Sequence, residues 1–275
     1  MIKTINLHSI LLSVVLFCCA TAQAQFQPLI KMAKERNAMT FKLEKNNGYI
    51  QRIVINESDM DYVMRYKGYN RFFSIRPGKN IIEQFPANSQ EAKGKFQQHE
   101  NILFYPGREV KESKVGKVVY ALPVKDGSTI KCKAAKDKVI VNREDSLRVP
   151  CVHFQLKEGD SIYAVRTGTV CFITYDRLKS FYVYHSDGSF ELYHDLESNL
   201  KVGQHIKAGD YVGTKLGQKP FKMFFFYFDQ ETLKATKLPY KTFSPLFRTS
   251  NGDIRIEDSH ELHAVIDDKL KRQEK

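Results

Sequence analysis

The apolar residues of this chain come in short runs of strand length, set apart by polar or glycine- and proline-containing segments. Met39 to Leu43 and Ile50 to Ile55 read as two strands, and Asn46-Asn47-Gly48 between them has the turn chemistry of a tight hairpin. Further strand-like runs follow at Tyr62 to Tyr66, Phe72 to Ile75, Ile102 to Tyr105, Lys117 to Leu122 and Val139 to Val141. Residues 29 to 37 can form a short helix, and the Gln-, Lys- and Glu-rich stretch from Pro86 to Glu100 reads as an exposed loop or short helix.

From residue 149 onward the strands become denser: Val152 to Leu156, Ser161 to Ala164, Thr169 to Tyr175, Phe181 to His185, Phe190 to Leu196, Tyr211 to Thr214 and Lys222 to Phe228. Glycines at 159, 168, 188, 203, 209, 213 and 217 punctuate them, the pattern of a compact antiparallel sandwich or barrel. After Asp229 a polar linker leads to Phe243 to Arg248 and Asp253 to Glu257, which flank Asn251-Gly252 as a hairpin would. The charged segment from Asp268 to Lys275 is expected to fray. The fold class is therefore mainly β. A β-rich N-terminal domain is expected over 25–145, a compact antiparallel domain over 146–230, and a C-terminal hairpin with a charged tail over 231–275.

Residues 1–24 change the picture of where the chain works. Lys3, the apolar run from Ile10 to Cys19 and the small-residue triplet Ala22-Gln23-Ala24 make a secretory signal with cleavage before Gln25. The run is too short to span a bilayer, and Phe17 before Cys18 fits a lipid-anchor site poorly. No later stretch reaches membrane-spanning length. A formal net charge of +12 suits anionic wall or membrane-surface polymers, and no arginine-rich tract or nucleic-acid motif accompanies it. Three cysteines follow the signal, Cys132, Cys151 and Cys171; an oxidising compartment would allow one disulfide and a spare thiol, with the pairing open.

Chemical motifs are sparse. There is no Ser-His-Asp order, G-x-S-x-G elbow, P-loop or dinucleotide fingerprint. His99, His205, His260 and His263 are isolated, and His260-Glu261-Leu262-His263 lacks the spacing of an H-E-x-x-H helix.

Three segments in the second half carry a resemblance. Val152 to Ala164 with Thr167-Gly168-Thr169-Val170, Val183 to Leu196 (VYHSDGSFELYHDL), and Val202 to Gly213 (VGQHIKAGDYVG) are similar, in order and spacing, to the lysostaphin-type (LytM-like) zinc endopeptidases. The third segment also suits biotinyl-type carrier domains, but those display a lysine beside a methionine at a hairpin tip, and no Met-Lys pair occurs.

The family's zinc is held by His, Asp and His with an open position for water. By the resemblance the first histidine falls near Val149 and the aspartate at His153. The active-site histidine of Y-x-H-L falls at Asp195, just after His194, and the H-x-H-F strand falls on Met223 to Phe226, where there is no histidine. Alternation along a strand sends His194 and Asp195 to opposite faces, so His194 is not expected to stand in for the missing ligand. His153 and Asp195 are expected to face each other across the vacated cleft as an ion pair or hydrogen bond. Tyr163, Tyr193, Phe226 and Phe228 are expected to line the cleft, with His185 a packed or turn-supporting residue. No catalytic residue, metal or cofactor is expected. The resemblance implies an exported, inactive relative that binds peptidoglycan or an envelope protein such as a wall hydrolase. The alternatives are an active zinc endopeptidase with a rearranged ligand set and an envelope-assembly component.

Overall fold

A computed structural model describes residues 39–67, 70–90, 102–140, 146–174, 180–236 and 239–272. The expected signal, the helix at 29–37, His99 and most of the polar stretch before Glu100 lie outside these residues.

The N-terminal part consists of β1 (Met39–Asn46), β2 (Tyr49–Asn56), β3 (Tyr62–Tyr66), β4 (Phe72–Ile75), β5 (Gly78–Pro86) and β6 (Ile102–Pro106). They form two three-stranded antiparallel sheets, β1-β2-β5 and β4-β3-β6. The β1–β2 turn has Asn47 and Gly48 both at positive φ, 48° and 79°, the geometry for which Asn-Gly is selected.

After the short helix α1 (Glu112–Val115) come β7 (Val119–Tyr120), β8 (Thr129–Ile140), β9 (Ser146–Phe154), β10 (Ser161–Tyr163), β11 (Gly168–Thr174), β12 (Ser180–Tyr184), β13 (Ser189–His194), β14 (Leu196–Glu197), β15 (His205–Ile206), β16 (Tyr211–Lys215) and β17 (Phe221–Phe228). The chain ends with α2 (Gln230–Thr236), β18 (Tyr240–Thr242), β19 (Leu246–Thr249), β20 (Gly252–Arg255), β21 (Ser259–His263) and α3 (Asp268–Lys271).

The organising element is a nine-stranded sheet in the order β15-β11-β12-β13-β17-β9-β8-β21, with β18 also on β17. The sheet runs across the boundary expected at 145, because β8 and β9 pair along nearly their whole length, from Cys132↔Phe154 to Ile140↔Ser146. It also takes β18 and β21 from the segment expected to stand apart.

Both faces of this sheet are buried, which explains why β17 reads as the unbroken run Phe-Lys-Met-Phe-Phe-Phe-Tyr-Phe. Met223, Phe225 and Tyr227 join Val152, Phe154, Phe181 and Tyr193 in one core, closed by Tyr120, Phe243 and Phe247. Phe224, Phe226 and Phe228 join Val149, Cys151, Tyr182 and Phe190 in the other. That second core continues into the N-terminal sheets through Tyr62, Met64, Phe104 and Tyr105. Tyr184 donates to Asp61 at 2.7 Å, Tyr240 donates to the Pro106 carbonyl at 3.1 Å, and Tyr105 packs on Phe228 with ring centroids 5.7 Å apart. The N-terminal part thus roofs one face of the large sheet.

Two C-terminal expectations are corrected. The linker after Asp229 is helix α2, because the Asp229 carboxylate accepts from Thr232 N–H at 2.8 Å and caps a turn that buries Leu233. The tail does not fray through Arg272: Asp267 caps α3 by accepting from Leu270 N–H at 2.9 Å, and Leu270 is fully buried against Ala121 and Ala208.

Candidate functional site

In an antiparallel sheet, residues directly opposite one another share a face. Following the register from β21 to β11 gives one unbroken row: Ser259↔Lys133, Lys133↔His153, His153↔Lys222, Lys222↔His194, His194↔Ser180 and Ser180↔Thr174. Neighbouring strands stand about 4.8 Å apart, so Lys133 and His194 mark the ends of a row of lysine and histidine on the order of 14 Å long. Just inside lies the apolar core, with Cys151, Phe224, Leu192 and Tyr182 on the same face. The row is therefore the polar rim of the roofed face. Lys133 is exposed, while the side chains of His153, Lys222 and His194 are 15%, 23% and 20% exposed.

Asp137 of β8 binds the middle of the row together. Its Oδ1 lies 3.1 Å from His153 Nε2 and its Oδ2 lies 2.5 Å from Lys222 Nζ. Burial pushes the Asp137 carboxyl upward, but the Lys222 and His153 contacts outweigh it and hold the group below its usual range. Burial lowers His153, an effect that Asp137 offsets only in part, so its imidazole is neutral at pH 7. Val149, Cys151 and His153 alternate along one face of β9, and Asp137 and His153 lean toward each other beside Cys151. Asp137, Cys151 and His153 place one donor atom each within 4.8 Å of the others. Burial raises the Cys151 thiol to about 12, so it is protonated as it stands.

The expected His153–Asp195 pair does not form among the described residues. His153 turns to Asp137, and Asp195 turns to its own neighbour, with His194 Nδ1 2.9 Å from Asp195 Oδ1. The reason is local. Asp195 has φ 67°, which ends β13, so strand alternation does not carry through and the two side chains meet. Burial raises the Asp195 carboxyl, and the His194 hydrogen bond reverses this and leaves it low. His194 Nδ1 also lies 3.0 Å from Ser180 Oγ.

Other expected cleft residues lie elsewhere. Tyr193 is fully buried on the opposite face, where its hydroxyl donates to Glu191 at 2.7 Å and accepts from Val165 N–H at 2.8 Å. Phe226 and Phe228 are fully buried under the N-terminal roof and line no open groove. His185 is also fully buried, with Nδ1 donating to the Thr167 carbonyl at 2.8 Å and Nε2 3.5 Å from Glu191. Tyr163 is half-buried on the small sheet β10-β16-β14, edge-on to the exposed Tyr211 at 6.2 Å. Asp137 and Lys222 were not singled out from sequence, and Cys151 only as a candidate for disulfide pairing; the register and the long β8–β9 pairing bring them to His153. Cys132 and Cys151 are free thiols, Cys132 buried in one core and Cys151, with Cys171, buried in the other.

Residues 149–223 match Peptidase family M23, so the chain carries an M23 (LytM-type) domain running from within β9 to within β17. Asp137 and all of β8 precede the matched segment. No curated protein matches the chain.

Proposed function

We propose, taking the M23 domain at residues 149–223 as the premise, that this is an exported, catalytically inactive relative of the wall endopeptidases. It acts in the cell envelope by binding, with peptidoglycan or a wall hydrolase as partner. The observation that carries this reading is what occupies the positions where the family keeps its metal. Val149 is an aliphatic residue in the core, His153 and Lys222 are tied to Asp137, Asp195 is tied to His194, and Phe221 to Phe228 contain no histidine. A zinc held by His, Asp and His does not fit these residues. The N-terminal roof over the same face supports the reading, because it covers surface that a peptide substrate would need. The excess of basic residues in the chain suits an anionic wall polymer.

The test uses the mature chain with purified sacculi. Co-sedimentation with sacculi, and no soluble wall peptide released with or without added zinc, is the expected result. Release of wall peptides that a chelator abolishes would overturn it. Failure to pellet, with stable co-purification of a hydrolase from envelope extract, would assign the binding to that partner. The second reading, an active endopeptidase with rearranged ligands, has one observation in its favour, the convergence of Asp137, Cys151 and His153.

A further inference from the structure

We propose that Asp137, Cys151 and His153 form a binding site for a divalent cation of the zinc type. The inference stands apart from the reading above, since it does not require that the chain cleave anything. This donor set is not the one the matched segment would bring. Asp137 comes from β8, before the match, and Cys151 occupies a position between Val149 and His153.

The chemistry selects the ion. One carboxylate oxygen, one sulfur and one imidazole nitrogen suit zinc or cobalt, whereas calcium and magnesium take oxygen donors. The geometry is held before any ion arrives. The β8–β9 ladder runs from Cys132↔Phe154 to Ile140↔Ser146 and fixes the three backbones, and Lys222 anchors Asp137 through Oδ2. Asp137 Oδ1 and His153 Nε2, now 3.1 Å apart, are the atoms a cation would separate and join, with Cys151 Sγ as the third donor. Asp137 and His153 are partly exposed, which gives the ion a way in and leaves room for water as a fourth ligand.

The proton balance is simple. The Cys151 S–H bond breaks as the S–metal bond forms, and its proton leaves to solvent. The His153 proton shifts from Nε2 to Nδ1 as Nε2 takes the metal, so one proton is released per cation. Thiolate and carboxylate together neutralise the ion. Lys222 stays on the outer oxygen of Asp137, where its charge moderates the affinity.

The experiment titrates the chelator-treated mature chain with Co2+ alone and then with Zn2+. The expected result is one cobalt per chain, a thiolate-to-cobalt charge-transfer absorption, and its loss on adding one equivalent of zinc. The absorption should survive in the Cys132→Ser, Cys171→Ser chain and vanish in Cys151→Ser. Asp137→Asn and His153→Ala, both at partly exposed positions, should weaken zinc by at least about tenfold. Cobalt bound without sulfur absorption, absorption that persists in Cys151→Ser, or unchanged affinity in His153→Ala would overturn the site. Failure here leaves the non-catalytic reading untouched. Zinc binding accompanied by chelator-sensitive release of wall peptides would overturn that reading and leave the site standing.

Discussion

The two faces of the central sheet each carry a polar assembly built from histidine, carboxylate and a cation, and they are built to opposite ends. On one face Arg166, 3% exposed, reaches Asp187 at 2.9 Å, Ser189 Oγ at 3.2 Å and Tyr120 at 3.3 Å, with fully buried His185 and Glu191 3.5 Å apart nearby. On the other, Asp137 gathers His153 and Lys222 at a rim that solvent reaches. A charge taken out of water needs partners, and Arg166 finds three through one terminal nitrogen, Asp187, Ser189 and Tyr120, which ties the β12–β13 turn to Tyr120. Asp137, His153 and Lys222, 15–23% exposed, keep a contact with water that Arg166 at 3% lacks, and exchange a protein partner for water or a ligand at lower cost. Similar residues thus serve as a fastener on one face and as an available donor set on the other.

The contrast breaks most visibly at Arg166. Arg166→Met should leave Asp187 with only its Ser189 donors and cost about 3 kcal/mol, measured as a shift in the urea midpoint. A loss below about 1 kcal/mol would mean that Asp187 is hydrated and that the two faces do not differ as described. Next in size is Gly168→Ala at the start of β11, beside the buried histidine. A Cβ there would lie 2.6 Å from Val183 Cγ1, 2.7 Å from His185 Nδ1 and 2.8 Å from the Tyr184 carbonyl, so overpacking should cost about 2 kcal/mol by the same assay. Asp137→Ala, by contrast, frees two donors that water can reach and should cost about 1 kcal/mol or less. A cost equal to that of Arg166→Met would show that the rim, too, is a fastener.

Much of the fold could be read before the structure, and the reasons are local. Asn47-Gly48 announces its hairpin because few residues tolerate two successive positive φ values, and the glycine-punctuated runs from 149 to 228 became strands with ends shifted by a few residues. Strand β8 was legible only at its end, because Lys131, Lys133 and Lys136 among Cys132, Ala134 and Ala135 look like a polar loop until β9 and β21 take up its edges. Helix α2 was missed because a capping Asp229 looks, in sequence, like any linker aspartate. The row from Lys133 to Ser180 could not be read at all. His153, Lys222 and His194 are far apart in the chain, and only strand order and register make them neighbours. Tyr193 illustrates the complementary error: its period in the strand was clear, but which face of the sheet would be roofed was not.

The smallest effect separates the two faces by pH. Burial depresses His153, so the folded chain resists the proton that the unfolded chain accepts as pH falls through about 6.5. Between that pH and the lower folded value the unfolded state binds more protons, and stability declines with falling pH. Asp137 and Asp187 are both held low, so their contributions are present above about pH 3.9 and are lost as pH falls through their lower folded values. The rim should therefore add a shallow first step below pH 6.5 to the acid step that both faces share. Thermal melts of wild type and His153→Asn between pH 7.5 and 4.5 isolate it. The wild type should lose melting temperature through this window and the variant should lose less, the two curves converging as the pH falls. Parallel curves would mean that His153 titrates normally in the folded chain, and the difference in pH response between the two faces would be gone.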